Sequence, residues 1–211
     1  MYTGIIDVLQ TLNNLNSIKR LGHVLYAGVN AEEAASISEK GYRIACIMIL
    51  LENKVKDINF ANVLKYAIMR EWSIAVVGEF PLSSKSYYSY FQDGSKDMFR
   101  QAEGNALSAL TRDAKISVPQ LSDREVAFYR LCDNLARILE LIDLKQKGNK
   151  HGWIDKMYLV WIQWFKETDT SEFDFLPDVL SELDVIFRRG YMENKYLTRA
   201  TKDIWDIKNA S

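Results

Sequence analysis

Turn-forming residues are scarce in this chain, with 3 prolines and 10 glycines among 211 residues. That scarcity excludes a turn-rich β architecture and leaves room for long helices. No stretch alternates polar and apolar residues with period two, and neither internal repeats nor low-complexity segments interrupt the chain. Cysteine is limited to Cys46 and Cys132, each inside an apolar run. Two such thiols point to a reducing compartment, and nothing in the sequence pairs them. The two histidines, His23 and His151, lie too far apart for a local two-His metal signature. Excess charge is also missing: the net charge is −1 and the isoelectric point about 6.2, so bulk electrostatics offers no case for nucleic acid or an anionic membrane. The longest uncharged apolar run, 44–51, is far too short to span a bilayer. Residues 1–10 lack a basic segment and a cleavage site, so the expected location is cytoplasmic.

What is present fits a single domain over 1–211. Hydrophobic residues make up 48% of the chain and charged ones 26%, enough apolar surface for a substantial core without staples. Ile5, Ile6, Val8, Leu9, Leu12 and Leu15 recur at helical spacing and predict a first helix. Residues 18–30, punctuated by glycine, read as a loop crossing the core. A second helix starts near Asn30 or at a Ser36 or Ser38 cap and runs to about Glu52, and a third spans 60–77. Gly78-Glu79-Phe80-Pro81 stops it. Residues 83–94, rich in Ser and Tyr, read as a surface loop, and 97–112 as a helix. Ser122 and Glu125 form a capping-box pattern opening a helix with Phe128, Leu131, Cys132, Leu135, Ile138, Leu139 and Ile142 inward. An aromatic helix over 153–168 and two further helices, 175–189 and 191–208, complete an all-α globule of seven or eight helices.

The stretch 37–81 holds the unusual feature. Two apolar helices each carry a charged pair, Glu39-Lys40 and Arg70-Glu71. Buried charge is expensive unless it is paired or functional, so these positions are the first candidates for a site. The chain reads K-R-x-G-H near its start, S-x-S-E-K-G-Y-R-I-A on one helix, Y-A-I-M-R-E-W-S-I-A-V-V-G-E-F-P on the next, and L-C-D-N-L-A-R-I-L-E-L on a later one. This order and spacing resembles the HD-domain phosphohydrolases, in particular the branch containing the 5'-deoxynucleotidases, over about 15–142. The helices at 150–211 are additional to it.

The resemblance implies a helical fold and a metal site, but its ligands are replaced. The family's first metal histidine falls on Lys40, its adjacent His-Asp pair on Arg70 and Glu71, and only its last ligand remains as an aspartate, Asp133. A further family carboxylate falls on Ile74. Arg20, Gly78, Glu79, Pro81 and Lys85 match or conservatively replace family positions. Lys and Arg offer no lone pair near neutrality, so the site should not hold its usual divalent metal. The expectation is a charge-paired network of Lys40, Arg70, Glu71 and Asp133 in its place, with no cofactor. An anion pocket built from Arg20, Lys40, Arg70 and Lys85, supported by Glu79 and His23, stands as the alternative use of the same residues.

The favoured function is thus a non-catalytic binding or regulatory protein, taking a nucleotide or phosphate-type anion, as a homodimer or with a protein partner. The alternatives are a metal-dependent hydrolase of nucleoside 5'-monophosphates and an interaction subunit using 175–208. His23 reads as a packing residue without a visible partner for base catalysis, and His151 as solvated. The aromatic run 153–165 reads as core before interface. No nucleophile-elbow or glycine-rich phosphate-loop motif occurs.

Overall fold

The computed structural model describes residues 3–79, 95–168 and 170–189. The expected loop 83–94, Pro81, Lys85 and the helix 191–208 lie outside them. The described elements are α1 (Thr3–Leu12), α2 (Leu21–Tyr26), α3 (Ile37–Leu51), α4 (Phe60–Arg70), α5 (Ile74–Val77), α6 (Ser95–Asp113), α7 (Asp123–Gln146), α8 (Gly152–Glu167) and α9 (Leu176–Arg189). Among the described residues there is no strand, only one isolated bridge between Lys19 and Ser36. The fold is all-α. No helix of the described residues is long and apolar enough to cross a membrane.

Helix α7 is the axis of the structure, packing against α3, α4, α8 and α9. Its apolar positions Phe128, Leu131, Cys132, Leu135, Ile138 and Ile142 are buried, with Leu139 partly so. The helix begins where Ser122 accepts from the Glu125 amide and Glu125 Oε2 accepts from the Ser122 amide at 2.8 Å. The other oxygen of Glu125 accepts from the Asn59 amide at 2.8 Å, fastening the start of α4 to the start of α7. Gly148, at φ +87°, ends the helix in a conformation that side chains with a Cβ resist.

Three expectations change and one is narrowed. Residues 18–30 are not wholly a loop. After the Lys19–Ser36 bridge the chain forms the short helix α2, despite its glycine. Helix α3 starts at the Ser36 cap, and Glu39 completes the capping box. Glu39 is therefore a capping residue on the surface. The third helix breaks after Arg70, because Glu71 turns inward and the chain tightens through Trp72 and Ser73 before α5. The first helix buries Val8, while Ile5, Ile6 and Leu9 stay largely exposed. Its partners α5 and α6 cover only one side.

Phe128 is fully buried and packs near Phe173, with ring centroids 6.4 Å apart. Phe128→Ala is expected to lower stability by about 3–5 kcal/mol, the scale for emptying an aromatic core site, as read by denaturant unfolding.

Candidate functional site

A cavity of about 460 Å³ opens between α2, α3, the α4–α5 corner, α7 and α8. Its charged wall begins with Lys40. On α3 the buried positions are Ile37, Lys40, Ile44, Ile47 and Met48, so Lys40 enters on the core face of the helix. Only 5% of it is exposed. Its ammonium donates to Glu71 Oε1 at 2.9 Å and lies 3.2 Å from Asp133 Oδ1. Asp133 Oδ2 accepts from Arg137 Nη2 at 2.9 Å and from Nε at 3.2 Å. Burial acts to raise the Asp133 pKa, but Lys40 and Arg137 outweigh it and hold the carboxyl well below the usual range.

A second cluster surrounds Glu140, which is 2% exposed. Arg20 Nε approaches Glu140 Oε2 at 3.4 Å, and Arg43 Nη1 approaches Oε1 at 3.6 Å. Arg20 also donates to Glu79, whose other oxygen accepts from the Leu21 amide. Gly78, at φ +78°, turns the chain after α5 so that Glu79 returns to Arg20. Burial opposes ionisation of Glu140, yet the surrounding cations keep its pKa below the ordinary value.

His23 completes this cluster. Its Nε2 lies 3.6 Å from Glu140 Oε2, and its ring meets Trp153 edge-on. Burial, the largest influence, pushes its pKa down to about 4 against the pull of Glu140, so the imidazole is neutral near pH 7. It packs, as expected, and it has a carboxylate neighbour.

The opposite wall is aromatic. Trp153, Met157 and Trp161 recur every four residues on α8 and line the cavity, whereas Tyr158 and Phe165 turn to the core. The aromatic run thus divides between core and cavity. Arg137 joins the walls, its guanidinium 4.8 Å from the Trp161 ring centroid.

Of the four expected network members, Lys40, Glu71 and Asp133 meet at one point. Arg70 does not. Its side chain is 44% exposed at the cavity wall and lies 3.8 Å from Glu103. The helical phase explains this, since Met69 takes the buried position and Glu71, beyond the break, takes the inward one. Arg20 and Glu79 belong to the cavity but are committed to each other, and Arg20 also to Glu140. The second cation on Asp133 is Arg137, which sequence reasoning passed over together with Glu140. The available signal was the polar stripe Tyr129, Asp133, Arg137 and Glu140, at four- and three-residue spacing along one face of the helix. His151 is exposed and caps α8, its Nδ1 accepting from the Trp153 amide. The Cys132 thiol is pushed up by burial and stays protonated.

No family model matches the chain, and no curated protein does. Among solved structures the fold is similar to a protein from Pyrococcus horikoshii, with a TM-score of 0.63 and 22% identity over 86% of this chain and 99% of that one. It is also similar to a conserved hypothetical protein from Pyrococcus furiosus, with a TM-score of 0.62 and 19% identity over 85% and 98%. At such identities the likeness shows the fold alone.

Because Arg70 is half exposed and loosely paired, Arg70→Ala is expected to change stability by less than about 1 kcal/mol in denaturant unfolding. His23 gives a pH signature. The unfolded chain takes up this proton near pH 6.5 and the folded chain withholds it until about pH 4. Stability therefore falls as pH drops through that window, by about 3 kcal/mol for a shift of this size. In His23→Gln that slope between pH 6.5 and 4.5 should flatten, while losses from carboxylates at lower pH persist.

Proposed function

We propose that this protein is a non-catalytic, HD-domain-like binding protein whose cavity takes a nucleotide-type small molecule without a metal. One observation carries the reading: the Lys40 ammonium sits 2.9 Å from Glu71 and 3.2 Å from Asp133, inside the cavity wall. Three positions that the family resemblance assigns to metal ligands, on α3, on α7 and at the α4–α5 corner, come together, which supports the register of that resemblance. The cation at their meeting point is a lysine.

The residues present do not fit the family's metal. A divalent ion there would need imidazole and carboxylate donors, and Lys40 contributes a positive charge instead of a lone pair. Among the described residues no group of three or more His, Cys, Asp or Glu side chains is placed to hold a metal ion. Without a Lewis acid the arrangement has no evident means to activate water against a phosphate ester. Binding is what remains.

Two features support the ligand class. Trp153 and Trp161 offer ring surface suited to a planar heterocycle. Arg70, at the cavity wall and the least engaged of its cations, is available to a phosphate-type anion. Arg20, Lys40 and Arg137 are already held by carboxylates, so the anion-binding role expected of Lys40 and Arg20 passes to Arg70 in this reading.

The test is thermal unfolding and calorimetric titration with deoxyadenosine monophosphate in buffer containing EDTA. The expected result is a rise in Tm with the nucleotide, near 2.7 kcal/mol of stabilisation at a hundredfold excess over Kd, reduced in Trp161→Ala. Release of inorganic phosphate from the nucleotide upon adding manganese would overturn the non-catalytic reading. A protein that ignores the nucleotide and co-purifies with a defined partner chain would make it an interaction subunit instead.

A further inference from the structure

One side of α3 is buried and carries Ile37, Lys40, Ile44, Ile47 and Met48. The other presents Tyr42, Ile49 and Leu50, which are 75%, 54% and 78% exposed, with the half-buried Cys46 among them. Exposed apolar residues scattered singly are ordinary, but a row of large ones on one helix face marks an interaction surface. Glu39, Tyr42, Cys46, Ile49 and Asn53 recur at alternating three- and four-residue spacing along α3 and the short turn that prolongs it. That alternation is the seam of a helix packed lengthwise against another helix.

We propose that this face of α3 is a homodimer interface, formed when two copies of the chain pair their α3 helices antiparallel about a two-fold axis at Cys46. The face lies on the side of α3 away from Lys40 and the cavity, so the inference goes beyond the binding reading above and is independent of it.

The charges at the ends of the seam select a second copy as the occupant. Exposed Glu39 stands at its start and exposed Lys54 just past its end. An antiparallel copy sets each Glu39 beside the Lys54 of the other chain and makes two equivalent ion pairs, whereas a parallel copy would align like charges. It also runs the two helix dipoles in opposition. The register matches itself. Tyr42 and Leu50 each lie four residues from Cys46, so the axis that pairs Cys46 with itself packs each Tyr42 ring on Leu50 of the second copy. Arg43 brings no cation to the seam, because it is turned toward Glu140, 3.6 Å away. Glu52, the other exposed charge at that end, is carried by the helical phase to the flank opposite Lys54.

The experiment is sedimentation of the full chain over a concentration series in reducing buffer, with cross-linking by a short bismaleimide. The expected wild type is a dimer at about 10 μM. Leu50→Glu places a carboxylate at both symmetric positions and should raise the dimer dissociation constant about a hundredfold. Its circular dichroism should stay unchanged, since Leu50 is exposed within its own chain. The bismaleimide should join two wild-type chains, and also Cys132→Ser, but not Cys46→Ser. A wild type that stays monomeric at about 100 μM overturns the proposal, whether residues 190–211 of the same chain or a different protein then covers the face. So does a dimer that survives Leu50→Glu and is not joined through Cys46. Should Leu50→Glu not fold, the cross-link decides: joining through Cys46 in the wild-type dimer supports the interface, and its absence refutes it. Nucleotide titration of the cavity reads a different face, so either reading can fail alone.

Discussion

A lysine ammonium withdrawn from water must be paired, and much of the cavity's architecture follows from pairing this one. Lys40 points inward because it occupies the apolar stripe of α3 between Ile37 and Ile44. Its counter-charges come from two other places in the chain, Glu71 beyond the end of α4 and Asp133 on α7. Continuing α4 as a regular helix through residue 71 is given up for the tight turn that follows Arg70. The break in the helix and the buried pair are two aspects of one constraint. Leaving either carboxylate or ammonium alone at this depth would cost several kcal/mol, more than the distortion of a helix end.

The constraint propagates along α7. Asp133, held by Lys40, is also held by Arg137 one turn on, and Arg137 lies against Trp161 of α8. Two turns from Asp133, Glu140 gathers Arg20 and Arg43, with His23 alongside. One face of a single helix therefore fixes the positions of α2, α3, the α4–α5 corner and α8. Such pairs need not stabilise the fold relative to apolar residues of the same size. They do impose a register, since sliding α3 or α8 along α7 by one turn would strand a buried charge. That is a reason for the walls of the cavity to stay where they are.

The fold was legible in the sequence where local chemistry decides structure. The Ser36 and Ser122 caps, the inward face of α7 and the lack of strands among the described residues all follow from short-range patterns, and the structure shows them. Lys40 and Glu71 were also legible, because charge inside apolar runs is rare enough to notice, and Asp133 entered through the family resemblance. Arg70 was misplaced because adjacent residues on a helix differ by about 100°, and a break one residue later decided which of the pair faced inward. Arg137 and Glu140 were missed for a different reason. Each looks like an ordinary surface residue in a helix that carries many other charges, and only their alignment with Asp133 at four- and three-residue spacing marks a polar seam. Trp153 and Trp161 could not be separated from Tyr158 and Phe165 by type. Only the neighbouring helices determine which aromatic positions meet the core and which meet the cavity.

A tethered ammonium and a dissociable metal ion are different solutions to the same electrostatic problem. A metal satisfies a carboxylate pair only in proportion to its free concentration, so the stability of such a site rises and falls with supply. An ammonium attached to α3 has a high effective concentration fixed by its stem, and it satisfies the pair in every molecule. It brings one charge instead of two, and no vacant coordination position at which water or an ester oxygen could be polarised. The lysine therefore holds the carboxylate pair in place without offering a coordination position of its own. The cavity that results is walled on one side by closed ion pairs and on the other by tryptophan rings, and it is this arrangement on which the proposed binding role rests.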